Sequence, residues 1–246
     1  MSPGEAARRY RQQIPRPREA IRHEEPLARF ARLSPAELAH LVSFAHIEAA
    51  FSPSATAAVF PRPVEAAVLL PLLSETEAAV VPEARLEPPG ARPRGGARLA
   101  LIRRATHLRA NPGDVAFPGG RIEPGEDPAA AALREAEEEV ELDRFSVRLL
   151  GALPSVERVS RPGPIAPYVG AVERGARLRA NPTEVDQILL VPLAELADPA
   201  RYWEETWSGP DGSGRRMSFF DYGEDLIWGA SARILVSLFE HLVAAE

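Results

Sequence analysis

The sequence predicts a mixed α/β or α+β domain, and three observations support this fold class. Short apolar runs that predict strands, such as residues 64–73 and 98–103, are followed by two well-marked helices at residues 128–140 and 229–244. Hydrophobic residues make up 45% of the 246 residues, which is enough for a full core. The length suits one domain with an extension, or at most two small domains.

The composition excludes several classes of site and partner. Cysteine is absent, so disulfides, thiolate metal sites and a cysteine nucleophile are excluded, which fits a reducing cytosol and a cytoplasmic location. No apolar run reaches the ~18 residues that span a bilayer, and residues 1–18 lack the apolar segment of a secretory signal. The net charge of −6 argues against general nucleic-acid affinity. Nothing in the sequence predicts an oligomeric state.

We expect two parts in the chain, an N-terminal extension over residues 1–60 and a main domain over residues 61–246. Residues 1–33 are rich in Arg, Glu and Pro and predict a tail or a loosely packed arm. One helix is expected in the extension, at about residues 35–51. Ser34 can cap this helix, and a proline follows at its first position.

The main domain is expected to contain, in chain order, a strand, a loop, a second strand and two helices. The loop is predicted from its many Pro, Gly and Arg residues and its lack of apolar periodicity. The last helix carries an apolar stripe at helical spacing, which we expect to pack on the sheet. The elements are residues 64–73, 82–96, 98–103, 128–140 and 229–244, and the stripe is Leu235, Leu238, Phe239, Leu242 and Val243.

The helix at residues 128–140 carries a group of acidic side chains. Asp127 can cap its N-terminus, and a run of alanines favours the helix. Glu135, Glu138 and Glu139 lie at positions i, i+3 and i+4, which places three carboxylates on one side of the helix. Carboxylates this close repel one another unless a cation lies between them, and Mg²⁺ prefers such oxygen ligands. A Glu-rich helix is more often a solvated face, so the spacing by itself leaves that alternative open.

A tight turn precedes the acidic helix. Gly119 and Gly120 end the segment Phe117–Gly120. Two glycines allow backbone conformations that are closed to other residues, and they let a substrate approach the backbone closely. Arg134 can pair with Glu126 and so fix the turn onto the helix.

The order and spacing of these residues resemble the Nudix box, whose form is G-x5-E-x7-R-E-U-x-E-E-x-G-U with U apolar. One fixed position departs from it, because Glu141 stands where the family has glycine. That glycine ends the helix in most members, so a left-handed residue of another type costs about 1 kcal/mol there. The matching residues are Gly120, Glu126, Arg134, Glu135, Ala136, Glu138, Glu139 and Leu142.

The resemblance implies a three-layer α/β/α sandwich with a mixed sheet and a catalytic loop-helix-loop. It implies that the three helix glutamates bind Mg²⁺ or Mn²⁺, and that Glu126 and Arg134 have structural roles. One of the three, or Glu184 from a later loop, would act as general base on a water molecule. Glu184 is a candidate supplementary ligand or base, with a surface role as the alternative. The implied catalytic set is Glu135, Glu138, Glu139 and Glu184.

The segment upstream of the box resembles one branch of the family. Residues 101–120 are similar to the motif of coenzyme A pyrophosphatases, roughly L-L-T-x-R-[SA]-x-x-[LM]-R-x-H-x-G-[QE]-[VI]-[AS]-F-P-G-G. Residues 181–193 and 227–235 resemble later segments of the same branch, so the resemblance covers about residues 60–240. The departures are Arg103, Asn111 and Asp114, and the matched positions are Arg104, Ala105, Leu108, Arg109, Gly113, Val115 and residues 117–120.

Arginines around the box predict an anionic substrate. Coenzyme A carries a diphosphate and a 3′-phosphate, which arginines bind through charge-assisted hydrogen bonds. Arg103 belongs to this group of arginines in the sequence, and His107 is predicted to be a surface or packing residue. For each arginine the alternative is an exposed surface residue or the partner of a nearby acid. The expected substrate-binding residues are Arg104, Arg109, Gly119, Gly120 and Arg121.

The sequence therefore predicts an enzyme that hydrolyses the diphosphate of coenzyme A or its derivatives to adenosine 3′,5′-bisphosphate and 4′-phosphopantetheine. Two alternatives stay open. A Nudix pyrophosphatase acting on ADP-ribose, a dinucleotide or a nucleoside triphosphate would keep the same box. A Nudix-fold binding module without catalysis would be favoured by loss of a box carboxylate, and all three are present.

Overall fold

The computed structural model describes residues 21–23, 33–51, 60–74, 96–158, 163–208 and 214–245. Within them lie two β-sheets, five α-helices and two single-turn 3₁₀ helices. The α-helices are α1 (Pro35–Leu41), α2 (Phe44–Ala50), α3 (Pro128–Val140), α4 (Leu193–Leu196) and α5 (Gly229–Ala244). The strands are β1 (Ile21–His23), β2 (Ala66–Leu73), β3 (Arg98–Arg104), β4 (Val115–Ala116), β5 (Gly119–Arg121), β6 (Val147–Ala152), β7 (Val156–Glu157), β8 (Pro164–Val172), β9 (Val185–Pro192), β10 (Tyr202–Ser208), β11 (Gly214–Tyr222) and β12 (Asp225–Trp228).

The larger sheet is mixed. Its main path runs β4-β3-β2-β8-β6, with β5 paired to β2, β7 paired to β8 and β9 paired to β3. Strands β2 and β8 are parallel and the other pairs are antiparallel. The smaller sheet is antiparallel, in the order β1-β10-β11-β12.

Helices cover both faces of the larger sheet, because successive side chains of its central strand β2 point to opposite faces and are apolar on both. Ala67 and Leu69 of β2 lie in the core under α3, whereas Leu70 and Leu72 lie in the core under α5. Three small residues of α3 are fully buried against the sheet, namely Ala131, Ala132 and Ala136. The predicted mixed fold, an α/β/α sandwich, is confirmed.

The predicted elements of the main domain are largely confirmed. Strands were expected at residues 64–73 and 98–103, and they are β2 and β3. Helices α3 and α5 have the predicted bounds. The loop predicted at residues 82–96 lies almost wholly outside the described residues. No helix in the described part of the chain is long and apolar enough to cross a membrane.

The prediction of a single helix over residues 35–51 is wrong, because two short helices occupy this stretch. Ser34 caps α1 as expected, with its hydroxyl accepting from the backbone N–H of Glu37 at 3.3 Å. Ser43 then caps α2 by accepting from the N–H of His46 at 3.2 Å. A serine hydroxyl competes with the helical hydrogen bonds of its own backbone, so it favours a new helix start at this point.

The tail predicted for residues 1–33 also needs a correction. Strand β1 pairs with β10, with Ile21 opposite Thr206. A short edge strand therefore lies where we expected a loosely packed arm, because β10 has backbone groups on its open edge that can pair with it. The rest of this stretch lies outside the described residues, apart from Leu33.

Candidate active site

Both ends of helix α3 are fixed by local contacts. The Asp127 carboxylate accepts from the backbone N–H groups of Ala129 at 2.9 Å and Ala130 at 3.2 Å, as the sequence predicted. At the other end Glu141 has φ 50° and ψ 28°, and its N–H donates to the carbonyl of Ala136. The expectation of a left-handed residue in place of the usual glycine is confirmed. These caps hold the acidic face of the helix in place.

Arg134 joins the turn before α3 to the helix itself. It donates to Glu126 through Nε at 2.8 Å and through Nη2 at 3.1 Å, and Nη2 also donates to the carbonyl of Arg121 at 3.0 Å. Its Nη1 donates to Glu135 at 3.1 Å and to Glu138 at 3.2 Å. These hydrogen bonds raise the pKa of Arg134 above its already high value, so the side chain is permanently charged.

Glu139 is the buried carboxylate of the site, with 1% of its surface exposed. It accepts from the backbone N–H of Gly119 at 2.9 Å and from Nη1 of Arg104 at 3.4 Å. Burial, with a smaller contribution from the nearby charges of Glu135 and Glu184, raises the pKa of Glu139 to about 8, against the opposing effect of those two donors. The carboxylate thus lies where negative charge is costly without a further cation.

Glu135 faces the glycine turn. A Cβ built on Gly120 would lie 2.4 Å from the Glu135 carboxyl, and one on Gly119 would lie 2.4 Å from the carbonyl of Ala67. Gly119 therefore requires glycine, because its φ is 155° and a Cβ would meet the backbone of β2, whereas a side chain at Gly120 would displace the Glu135 carboxylate. Burial raises the pKa of Glu135, Arg134 opposes this, and the charges of Glu138 and Glu184 add to it.

Glu184 joins the helix glutamates from a distant part of the sequence. It immediately precedes β9, and its carbonyl accepts from the N–H of Ala105 at 2.8 Å. Its charge raises the pKa of Glu135 and of Glu139, so the fold brings its carboxylate within electrostatic range of both. Within the described residues the Glu184 carboxylate has no hydrogen bond or ion pair, whereas Glu135, Glu138 and Glu139 each accept at least one hydrogen bond.

Comparison with known proteins agrees with this geometry. A family model described as "NUDIX domain" matches residues 91–208, which include the acidic helix. An uncharacterized Nudix hydrolase NudL from Photorhabdus laumondii is 40% identical over 141 residues, covering 57% of this chain and 74% of that protein. The chain belongs to the Nudix hydrolase family. It is therefore a hydrolase of pyrophosphate substrates, in a family that generally needs divalent metal ions.

Two further similarities extend over more of the chain. An uncharacterized Nudix hydrolase NudL from Salmonella paratyphi B is 35% identical over 169 residues, covering 68% of this chain and 82% of that protein. A crystal structure of a MutT/nudix family protein from Enterococcus faecalis covers 82% of this chain and 75% of that one, at 16% identity and a TM-score of 0.45.

The acidic residues of this Nudix chain suit a hard divalent cation. All four side chains are carboxylates, the type of oxygen ligand that such a cation prefers. Burial, and then the charges of neighbouring glutamates, raise the pKa of Glu135 and of Glu139, and a cation would offset both effects. The described residues hold no ready-made cluster of three metal-binding side chains, and Glu135 and Glu138 point to Arg134 instead. A bound cation would compete with Arg134 for these two carboxylates.

The arginines near the box differ in burial, since one is buried in an ion pair and others are exposed. Arg103 does not belong to the site, because it is 4% exposed and its Nε donates to Asp225 at 3.1 Å and its Nη1 to Gln187 at 2.8 Å. The expectation that Arg103 takes part in an anion-binding cluster is wrong. Arg109 and Arg121 are exposed, and neither has an ion pair within the described residues.

Arg104 lies at the edge of the carboxylate group. Its Nη1 is in contact with Glu139, and its buried Nε has no hydrogen-bond partner in the described part of the chain. A buried donor without a partner is costly, so this guanidinium has capacity for a further acceptor. Sequence reasoning placed Arg104 in the substrate-binding set, and the structure brings it to the buried glutamate.

The segment upstream of the box is tied to the loop that carries Glu184. Besides the bond to Ala105, the N–H of Thr106 donates to Asp186 at 3.1 Å, and Nε2 of His107 lies 3.1 Å from the carbonyl of Thr183. His107 is exposed, as predicted for a surface residue. The backbone of residues 105–107 therefore lies along the loop of the candidate base.

Sequence reasoning missed two contacts near the site, because each joins residues far apart in the chain. The indole N–H of Trp228 donates to Asp114 at 3.3 Å. The side chain of Asn181 donates to the carbonyl of Glu138 at 3.1 Å. Only Trp228 carried a signal, since tryptophan N–H groups usually find an acceptor when they are buried.

Proposed function

We propose that the chain is a metal-dependent coenzyme A pyrophosphatase. The observation that supports coenzyme A as the substrate is the position of residues 101–120, the segment that resembles the coenzyme A pyrophosphatases. Two of its residues, Arg104 and Gly119, contact the buried Glu139. The segment therefore lies at the carboxylate site rather than on a remote surface, and this position supports a role for its residues in binding the substrate.

In this mechanism the helix carboxylates hold the cation and the glycine turn receives the diphosphate. Glu135, Glu138 and Glu139 would bind Mg²⁺ or Mn²⁺, which when bound neutralises the phosphates and lowers the pKa of water. Because Gly119 and Gly120 have no side chains, the backbone of the turn lies directly against β2 and the Glu135 carboxylate.

Glu184 is the general base in this proposal. Its charge acts on Glu135 and Glu139, and its carboxylate is free of hydrogen bonds within the described residues, so it has lone pairs available for a water proton. Water would attack one phosphorus of the diphosphate and lose its proton to Glu184. The P–O–P bond would break to release adenosine 3′,5′-bisphosphate and 4′-phosphopantetheine.

The arginines would bind the charged groups of coenzyme A. Arg109 and Arg121 are exposed and free of ion pairs within the described residues, so they can reach phosphates without breaking existing contacts. Arg104 would bind a diphosphate oxygen, and its Nε, which has no hydrogen-bond partner within the described residues, supports this role. Glu126 and Arg134 keep a positioning role, since they hold the turn against the helix.

The substrate is tested by comparing turnover of coenzyme A, dephospho-coenzyme A, ADP-ribose and a nucleoside triphosphate. Each is incubated with Mg²⁺, with Mn²⁺ and with EDTA, and the products are separated by chromatography. We expect coenzyme A to be cleaved fastest, with adenosine 3′,5′-bisphosphate as a product and no turnover in EDTA. Faster cleavage of ADP-ribose or of the triphosphate would overturn the substrate, and no hydrolysis in any metal would overturn the mechanism.

A further inference from the structure

Asn181 lies between the metal-binding helix and the candidate base, in the loop that leads into β9. Its backbone N–H donates to the carbonyl of Glu139 at 2.9 Å, and its Nδ2 donates to the carbonyl of Glu138 at 3.1 Å. Just before it, the N–H of Arg179 donates to the carbonyl of Val140 at 2.8 Å. The last carbonyls of a helix have no partner within the helix, so this loop satisfies them.

The same residue organises the turn that carries Glu184. The Oδ1 of Asn181 accepts from the N–H of Thr183 at 3.2 Å and from its hydroxyl at 2.7 Å. Its carbonyl accepts from the N–H of Glu184 at 3.0 Å and of Val185 at 2.8 Å. Asparagine supplies a donor and an acceptor in one short side chain, so it can face the helix and the turn together.

We propose that Asn181 is a positioning residue that fixes Glu184 relative to the carboxylates of α3. This inference rests on the proposed role of Glu184 as general base. The side-chain amide of Asn181 links the carbonyl of Glu138 to Thr183, the residue before Glu184. The backbone of Asn181 links Glu139 to Glu184, which is 45 residues further along the chain. A base displaced by about 1 Å can lose on the order of 100-fold in rate, so the bridge acts on kcat.

A merely structural role would affect stability more than rate. Asn181 is partly exposed, and water can replace its bonds when the side chain is shortened. Its substitution should therefore leave the fold intact while Glu184 moves. The carboxylates of α3 keep their own contacts to Arg134 and Gly119, so metal affinity should change little.

The experiment is a double-mutant cycle with Glu184→Gln on the full chain. We expect Asn181→Ala to lower kcat for coenzyme A roughly 10- to 100-fold, with KM changed less than about threefold. In the Glu184→Gln background the same substitution should change kcat less than about twofold, because the base it positions is gone. Mn²⁺ affinity, measured by electron paramagnetic resonance, should stay within about twofold of the wild type.

One further variant separates the donor and the acceptor of the Asn181 amide, and another serves as a control. Asn181→Asp keeps the acceptor for Thr183 but loses the donor to Glu138, so its kcat should lie between those of the wild type and Asn181→Ala. Glu137→Gln is the matched control on α3, because Glu137 pairs with Arg144 outside the carboxylate group. It should leave kcat unchanged. If Asn181→Ala does not fold, Asn181→Asp is taken through the same cycle.

The outcomes distinguish the two proposals. Additive losses from Asn181→Ala and Glu184→Gln, or a fall in Mn²⁺ affinity that parallels kcat, would overturn the positioning role and leave Glu184 as the base. A full kcat in Glu184→Gln by itself would overturn the proposed base instead. A loss of kcat from Asn181→Ala that nearly disappears in the Glu184→Gln background, at unchanged Mn²⁺ affinity, would establish the positioning role of Asn181.

Discussion

At the scale of single residues, Glu141 is the point where the acidic helix ends under local strain. It occupies the left-handed region with φ 50°, where a Cβ crowds the backbone. Its carboxylate lies 3.8 Å from Arg179, but both side chains are largely exposed, so this ion pair contributes little stability. The chain therefore keeps an unfavourable residue at a helix end beside its candidate active site.

We expect Glu141→Gly to raise the free energy of unfolding by about 1 kcal/mol, because glycine adopts this conformation without the Cβ cost. Urea unfolding measures the change. Glu141→Ala is the control, since it removes the carboxylate but keeps the Cβ, and it should not stabilise the protein. Equal stabilisation by both variants would assign the cost to charge rather than to backbone conformation.

At the scale of secondary-structure elements, one buried ion pair joins the two sheets. Arg103 lies on β3 of the larger sheet and Asp225 on β12 of the smaller one, and each is 4% exposed. Arg103 also donates to Gln187 on β9. A buried charge is tolerated only while its partner is present, so this pair fixes how β12 meets β3.

Removing one member of the Arg103–Asp225 pair should therefore destabilise the fold. We expect Asp225→Ala to lower the free energy of unfolding by about 3–5 kcal/mol, because it leaves the Arg103 guanidinium buried without its carboxylate. Calorimetry or denaturant unfolding measures the loss. The double variant Arg103→Met with Asp225→Leu should recover much of it. A double variant as unstable as Asp225→Ala would show that packing, rather than uncompensated charge, carries the cost.

The elements differ in how far the sequence could predict them. Helix α3 was predictable to its ends, because its cap, its alanines and its glutamates are contiguous signals. Arg103 and Arg104 were both expected to face an anion. Neighbouring residues on a strand point to opposite faces, however, and the sequence does not say which face holds the site. The contact between Asn181 and Glu138 depends on tertiary folding, so local patterns carried no signal for it.

At the scale of the whole molecule, the helices before residue 60 are packed into the core of the larger sheet. Leu41, Val42, Ile47 and Phe51 are buried in the same apolar cluster as α5. Polar contacts join the same elements, with Nε2 of His46 lying 3.2 Å from the carbonyl of Leu242. Our division of the chain at residue 60 stays a prediction, and the packing makes a direct test of it possible.

If α2 belongs to the same cooperative unit as the sheet, Ile47→Ala should lower the free energy of unfolding by about 2–5 kcal/mol through the cavity it leaves. Glu48→Ala, one residue along the same helix, removes only an exposed ion pair with Arg148 and should cost less than about 1 kcal/mol.

Unfolding followed by tryptophan fluorescence reports on the smaller sheet, because all three tryptophans lie in β10 and β12. Circular dichroism reports on the helices. A loss for Ile47→Ala that appears equally in both signals would show one unit across residue 60. A separate early transition confined to the helical signal would instead support an extension that folds on its own.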